Sequence, residues 1–343
     1  MRHRTAIAAG FMICLAVGDY VACRVLQTRM QHAYDGWVDT MQRQGWTVHT
    51  GRVTSQLTPL GASLVLGDVS VDGGRAVLPG GLSWHAERLV VSISLAHPRR
   101  LQIAPEAEQQ LRLAASPPLV MSSDSLVASV PLGAGRPDQI DVRAEGLVLG
   151  EPRYGERQVL RLDHAEWHLR AEPGSGSRTA TGLIFTARGI GLPDNGRWAL
   201  GAAIGKLHLD VALTSPVLSG AAPAEQARAW RDWGGALLVR QLDVHWGPLD
   251  MLAQGSVNLD QDLQPEGSGT ARISGGRAAL TALAQGGTIP DGVAQTGQMV
   301  LSLMAKPAGN GDTLDLPLKL KNSTVSVGKL PVMSVRTVDW GRA

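Results

Sequence analysis

The residues with the greatest chemical potential lie in one short segment, His164-Ala165-Glu166-Trp167-His168. Two histidines four positions apart would share one face of a helix, where they could ligate a zinc ion together with a glutamate. The flanking residues alternate polar and apolar types, which favours a strand, and there the two histidine Cα atoms lie about 13 Å apart. One ion cannot bridge that distance. We therefore interpret the segment as a solvated strand face and predict no metal site.

Signatures of the common enzyme classes are missing from the sequence. No serine occupies a Gly-x-Ser-x-Gly elbow, no Gly-Lys pair completes a phosphate-binding loop, and no Gly-x-Gly-x-x-Gly follows a strand. The two cysteines, Cys14 and Cys23, both fall in an apolar segment, so the rest of the chain has no disulfide and no thiol nucleophile. We predict that the protein is not an enzyme and that it needs no cofactor.

The composition limits the class of partner. Charged residues make up 18% of the chain, hydrophobic residues 44%, and the formal net charge is +2. Nucleic-acid-binding proteins carry a larger basic excess, and disordered chains are more polar. The sequence thus predicts a globular protein with a sizeable core and no nucleic-acid partner.

The N-terminus has the pattern of a membrane-targeting segment. Arg2 and Arg4 precede an apolar stretch over residues 5–18, which resumes at residues 21–23. A helix over residues 6–23 would be about 27 Å long, close to the thickness of the hydrocarbon core of a bilayer. Because basic residues before such a stretch stay in the cytoplasm, we expect a single-pass protein of the bacterial inner membrane with its C-terminal domain in the periplasm.

We assign residues 1–26 to this membrane anchor and residues 27–44 to an amphipathic juxtamembrane helix. Apolar residues recur at three-to-four spacing between Val25 and Met41, and Gly45 is a natural C-cap. Small residues at positions 16–18 also fit a signal-peptidase site, and Cys23 could carry a lipid. A cleaved signal peptide and a lipoprotein therefore remain alternatives to the retained anchor.

After Gly45 the periodicity changes from helical to alternating. Alternation is clearest over residues 89–96, 207–213 and 314–321. Further candidate strands are residues 46–53, 62–71, 126–130, 140–149, 159–170, 183–188, 237–246, 251–259, 299–304 and 324–327, and two short helices are predicted over residues 223–233 and 277–285. We predict a mainly β fold over residues 45–343, an extended, curved antiparallel sheet with one wet face. The polar run near residues 173–178 is either a hairpin turn or the meeting point of two halves.

Short motifs along the chain resemble those of one known family in their order. They are Gly18-Asp19-Tyr20, Gln44-Gly45-Trp46, Pro59-Leu60-Gly61, Leu82-Ser83-Trp84-His85-Ala86, Trp246-Gly247-Pro248-Leu249, Gly255-Ser256-Val257-Asn258-Leu259-Asp260, Pro265-Glu266-Gly267 and Val325-Ser326-Val327-Gly328-Lys329-Leu330-Pro331. The order is similar to that of an uncharacterised alphaproteobacterial family, domain of unknown function 2125, from the apolar segment to about Val332. The resemblance implies an envelope location and a β-rich body, and it implies no catalytic residues.

Two kinds of function fit these observations. In the first, the apolar face of the sheet is only partly filled, and Leu207, Leu209, Val211 and Leu213 line a groove that holds or passes an envelope lipid or another amphiphile. A single membrane anchor followed by strands that are separated by turns is similar to the general layout of AsmA-type envelope proteins. In the second, the same face is closed, and the protein is a non-enzymatic scaffold that binds a protein partner through an exposed strand edge. The sequence does not separate the two.

The predicted topology can be tested with a reporter enzyme that is active only outside the cytoplasm, fused after Ala343. We expect an active fusion because Arg2 and Arg4 hold the N-terminus in the cytoplasm. The matched control is the same fusion without residues 1–26, which should be inactive. Activity of a cytoplasm-specific reporter at the same position would contradict the orientation.

Overall fold

The computed structural model describes residues 2–58, 60–73, 81–113, 117–132, 138–151, 157–173, 179–193, 196, 198–215, 222–289, 291–304, 313–327 and 330–340, with the side chains of residues 2–20 and of a few positions near element ends left out. The helices are α1 (Arg2–Arg43), α2 (Pro223–Asp232), α3 (Gly276–Gln285) and α4 (Asp291–Met304). The strands are β1 (Trp46–Thr50), β2 (Val53–Thr58), β3 (Gly61–Gly73), β4 (Leu82–Ser94), β5 (His97–Leu113), β6 (Leu119–Ser122), β7 (Ser125–Pro131), β8 (Gln139–Glu151), β9 (Arg157–Pro173), β10 (Thr179–Gly191), β11 (Ala203–Leu213), β12 (Leu237–Trp246), β13 (Leu249–Leu259), β14 (Pro265–Ser274), β15 (Leu314–Lys321), β16 (Thr324–Val327) and β17 (Leu330–Ser334).

The helix α1 is continuous and ends where the sequence predicts, with Gly45 in the left-handed region at φ +85°. Its second half lies against the first strands of the sheet. Leu26 and Met30 are buried in a cluster with side chains of β3 and β4, and the Tyr34 hydroxyl bonds Thr50 Oγ1 at 2.5 Å. The helix predicted over residues 27–44 is therefore a packing helix on the β-rich body.

No helix in the described part of the chain is both long and apolar enough to cross a membrane. Most of the predicted anchor, residues 1–20, lies outside the residues whose side chains are described. The anchor over residues 1–26 remains a prediction.

Seventeen strands form one sheet in which every pairing is antiparallel. From β8 to β16 each strand pairs with the strands before and after it along the chain, and β17 pairs with β16. Two strand positions are each filled by two short strands: β1 and β2 both pair with β3, and β6 and β7 both lie between β5 and β8. The mainly β, antiparallel fold is thus confirmed, and it is a simple meander.

A line of interrupted pairing crosses the sheet from β3 to β11, and we call it the crease. On each of several strands, two inward-facing apolar residues lie three positions apart here instead of two, as with Leu66 and Val69 on β3. The same step of three separates Ala144 from Leu147, Leu162 from Ala165, Ala187 from Ile190, and Ile204 from Leu207. Gaps between β1 and β2 and between β6 and β7 fall on the same line. Such irregularities bend strands, so the sheet bends along this line.

The crease requires unusual backbone conformations. Asp68, Ala107, Gly146 and Gly189 all have φ between +54° and +72°. At Gly189, an added Cβ would lie 2.1 Å from the Oδ2 atom of Asp163, which sits across from it on β9. Glycine is needed at this position both for the left-handed backbone and for the space above it.

Three sequence predictions need correction. Residues 299–304 belong to helix α4 and do not form a strand. Residues 46–53 form β1, a break and then the start of β2. On β9, the alternation predicted around the histidine segment is not continuous: Leu160 and Leu162 share the apolar face with Ala165 and Trp167, because the crease shifts the alternation after Leu162. Residues 174–178 lie outside the described chain, but β9 and β10 on either side pair as a hairpin.

The substitution Gly189→Ala tests the tight backbone of the crease. We expect the free energy of unfolding to fall by about 1–3 kcal/mol, because alanine disfavours positive φ and its Cβ displaces Asp163. The matched control is Gly234→Ala, which has φ +71° but no heavy atom within 4 Å of an added Cβ. That variant should lose only about 1 kcal/mol, the cost of the backbone conformation. Equal losses in chemical denaturation would contradict the close fit at Gly189.

Candidate functional site

The most prominent feature of the sheet is a row of apolar residues in register across twelve strands, which we call the apolar strip. Each member faces the next directly across the ladder. The members are Leu64, Val91, Ile103, Ala128, Val142, Trp167, Phe185, Leu209, Leu242, Ala253, Ala271 and Leu316. Strands lie about 4.8 Å apart, so the apolar strip is roughly 53 Å long and runs across the strands rather than along them.

Burial varies along the apolar strip: members near both ends are buried, and the last member, Leu316, is partly exposed. Leu64 is 1% exposed beneath Leu26 and Met30 of α1. At the other end Ala253 and Ala271 are buried, and α2 and α3 pack against the strand of Ala253. Between these ends, from Val91 to Leu242, every member of the row keeps partial exposure to solvent. In the described chain, α1 therefore covers one end of the apolar strip, α2 and α3 contact β13 near the other end, and the centre stays partly exposed.

Small residues form the floor beside the centre of the apolar strip. Ala144, Ala165 and Ala187 lie in register on β8, β9 and β10, and all three are 0% exposed. Every side chain in their cluster comes from a strand of the sheet itself. The larger side chains beside them on the same face, such as Leu147, Leu162 and Ile190, therefore close over the three alanines.

The predicted groove residues lie on this same face. Leu207, Leu209, Val211 and Leu213 are partly buried and point to one side of β11. Leu209 belongs to the apolar strip, between Phe185 and Leu242, while Leu207 packs beside the alanine floor. The structure brings these four residues together as the alternation predicts.

Other residues of the site were missed in the sequence. Trp167 and Phe185 contact each other at the centre of the apolar strip, with ring centroids 5.2 Å apart. They are eighteen positions apart, so only the register of the β9–β10 hairpin shows that they meet. The alanines of the strip and its floor were missed because alanine carries no strong strand signal.

The opposite face of the sheet carries cross-strand ion pairs, and the histidine segment lies there. His164 Nδ1 lies 2.6 Å from Glu145 Oε1, and His168 Nδ1 lies 2.7 Å from Asp141 Oδ1. Glu166 lies between the two histidines on the strand and accepts a hydrogen bond from Arg143 at 2.9 Å. The segment is a strand, as predicted. Each histidine pairs with its own carboxylate on β8, and the Nε2 atoms of both also lie 3.7 Å from Glu166. Among the described residues, no group of three or more His, Cys, Asp or Glu side chains could hold a metal ion.

Two carboxylates of this polar face are stabilised in their charged form. Burial by itself would raise the pKa of Asp141, but hydrogen bonds from His168 and Gln139 and the charges of His168 and Arg100 bring it below its ordinary value. The hydrogen bond from Arg143 is the main cause of the lowered pKa of Glu166. Because their charged forms are stabilised on folding, both groups contribute to stability above the pKa of an unfolded carboxyl, about 4.

The pH dependence of stability tests this arrangement. The contribution of Asp141 should be complete at neutral pH and disappear as the pH falls through the lowered pKa of its folded form. We therefore expect Asp141→Asn to lower the free energy of unfolding by about 1–3 kcal/mol at pH 7 and to approach the wild type once the pH falls below the lowered pKa of Asp141. The control is Glu106→Gln, which removes a half-exposed pair with Arg88 and should cost under about 1 kcal/mol. An Asp141→Asn deficit that persists in acid would contradict the lowered pKa.

Comparison with known proteins gives one match. No curated protein sequence and no solved structure shows significant similarity to this chain. A family model described as "Uncharacterized protein conserved in bacteria (DUF2125)" matches residues 25–336, from α1 to just beyond β17. This agrees with the order of motifs along the sequence. The chain therefore belongs to the DUF2125 family.

Proposed function

We propose that this protein binds an envelope lipid or another amphiphile along the apolar strip, on the periplasmic side of an inner membrane to which residues 1–26 anchor it. One observation carries the proposal: twelve apolar residues stand in one unbroken row whose centre, in the described chain, stays partly exposed, while α1 covers one end and α2 and α3 contact β13 near the other. A sheet face that served only as a core would be expected to have a packing layer along its whole length.

The partial exposure of the strip favours an apolar occupant. Apolar surface contributes about 25 cal/mol per Å² when it is removed from water. In the protein alone, part of the apolar surface of Trp167, Phe185 and Leu209 stays in contact with water, so its burial by a ligand would add to the free energy of binding. A hydrocarbon chain lying along the row would contact these side chains and release the remaining water. Binding sites for apolar ligands are open, largely pre-formed surfaces of this kind.

The dimensions also support a lipid chain. The open part of the strip from β4 to β12 spans seven strand intervals, or roughly 34 Å. An acyl chain spans one leaflet of a bilayer, about 15 Å or half of the hydrocarbon core. The open part could hold one long chain or two ordinary chains end to end.

The second candidate is a non-enzymatic scaffold that binds a protein partner in the cell envelope. The observation that favours it is the edge of the sheet: in the described chain, β2 is paired with β3 on one side and with no strand on the other. An edge strand of this kind can accept a strand from another protein. The scaffold hypothesis does not explain why the centre of the apolar strip is partly exposed. We therefore rank the scaffold hypothesis second.

The substitution Leu209→Asp tests the proposal. The full-length protein would be incubated in membranes with a photoactivatable phospholipid and then scored for crosslinking and for thermal stability. If a lipid lies along the strip, a charge at Leu209 should abolish crosslinking and lower stability by only about 1–2 kcal/mol, because the side chain can turn toward solvent.

The matched control is Leu252→Asp. Leu252 is 43% exposed and stands on the opposite face, between Asp243 and Arg272, so its variant should crosslink like the wild type. Loss of crosslinking in both variants would indicate a general defect in folding. A wild type that never crosslinks, together with a Leu209→Asp variant that unfolds, would overturn lipid binding and favour the scaffold.

A further inference from the structure

Exposed apolar side chains gather at one corner of the molecule, where α1 meets β2 and the turn that follows it. We define the apolar corner as Val21, Val25, Leu57 and Leu60. Their exposed fractions are 54%, 49%, 38% and 65%, values more typical of charged residues. Val53, at the start of β2, is exposed as well.

Contacts between α1 and β2 place these residues together. The Cys23 thiol lies 3.7 Å from the carbonyl oxygen of Thr58, and Gln27 Nε2 donates to Ser55 Oγ. The helix therefore runs antiparallel to β2, and Cys23 is the buried residue between Val21 and Val25. Thr58 lies between Leu57 and Leu60, so the exposed residues of the helix and of the strand lie at the same level along α1, with Val21 and Val25 on the side of the helix turned away from Cys23 and β2.

Leu60 is unfavourable for folding in two respects. It has φ +60°, a left-handed conformation that costs a non-glycine residue roughly 1–2 kcal/mol, and it exposes a large apolar side chain at the tip of a turn. The carbonyl of Leu60 accepts a hydrogen bond from the Leu95 amide at 2.8 Å, which holds this tip beside the β4–β5 turn. A polar residue or a glycine would suit a turn in water better, so the position is suited to an apolar environment outside the chain.

Exposed basic residues lie on or next to the elements that form the apolar corner. Arg24 on α1, Arg52 before β2 and Arg99 just after the β4–β5 turn are all exposed. The apolar segment over residues 5–18 leads directly into the corner along α1. Apolar side chains with a basic rim are the pattern of a surface that lies on anionic lipid headgroups.

We infer that the apolar corner docks on the surface of a lipid bilayer, with its leucine and valine side chains at the boundary between headgroups and acyl chains. The inference rests on the proposed function and deepens it, because it gives the apolar strip a source of lipid. Leu64, the first member of the strip, lies across the ladder from Ser55 on β2 and under Leu26 and Met30 of α1. A lipid that leaves the bilayer at the apolar corner would enter the strip past this covered end, at Val91, the first member that is partly exposed.

The test measures the depth of one residue in a bilayer. Cys14→Ser and Cys23→Ala give a full-length protein without thiols, and Leu60→Cys then carries an environment-sensitive fluorophore. The protein is reconstituted in vesicles of phosphatidylethanolamine and phosphatidylglycerol that contain lipids spin-labelled on the acyl chain. We expect a blue shift of the emission and strong quenching at position 60. The matched control is Leu252→Cys, an exposed leucine on the far face of β13, where we expect neither effect.

A second arm tests the basic rim. Replacing phosphatidylglycerol by phosphatidylcholine removes the negative charge of the vesicle and should weaken quenching at position 60. If Leu60→Cys impairs folding, as judged by its melting temperature, Leu57→Cys replaces it as the labelled position.

Equal quenching at positions 60 and 252 would overturn the inference. So would a crosslink between two copies of the chain through Leu60→Cys with no quenching by lipid, because the corner would then join two protein molecules. The two proposals fail separately. A protein that docks but never crosslinks to phospholipid overturns the proposed function, and a protein that crosslinks but is quenched equally at both positions overturns the docking.

Discussion

The whole structure depends on keeping one face of each strand apolar while the sheet bends. Side chains alternate along a strand with a period of two, so a shift of one residue would move every following side chain to the opposite face. At the crease, neighbouring strands change their alternation at the same place: the spacing between two apolar residues of the same face is three positions instead of two. This spacing is found in three adjacent strands, between Ala144 and Leu147 on β8, Leu162 and Ala165 on β9, and Ala187 and Ile190 on β10. A step on one strand alone would have divided the apolar face in two.

The two faces of the sheet contribute to the structure in different ways. On the polar face, pairs such as Arg143 with Glu166 and Arg272 with Asp315 join adjacent strands directly across the ladder. Each exposed pair contributes little to stability, but opposite charges in register disfavour a slipped pairing. Because the register is specified from the polar side, the apolar face does not need a continuous covering layer to hold the strands in place. This division is what allows the centre of the apolar strip to remain partly open.

The sequence predicts the fold class well and the details of the site only in part. Alternation identified β11 and β15 because neither contains an interruption within its apolar run, and glycine caps located the ends of α1, α2 and α3. The same reasoning failed on β9, since nothing local reveals that Asp163 lies opposite two glycines at the crease. It also failed at residues 299–304, where a short apolar run fits a strand as well as the end of a helix. The apolar strip could not be predicted, because its existence depends on the register of eleven successive pairings.

The strictly sequential order of the meander has a consequence for how the chain acquires its structure. Every strand finds its partners among its nearest neighbours in sequence, so no pairing has to wait for a distant segment to be synthesised. Contacts of short sequence separation close small loops and favour rapid folding. Since proteins emerge from the ribosome with the N-terminus first, the sheet can grow by addition at one edge, each completed strand serving as the template for the next. Until β17 is in place, that growing edge is also the part of the molecule most exposed to mispairing with other chains.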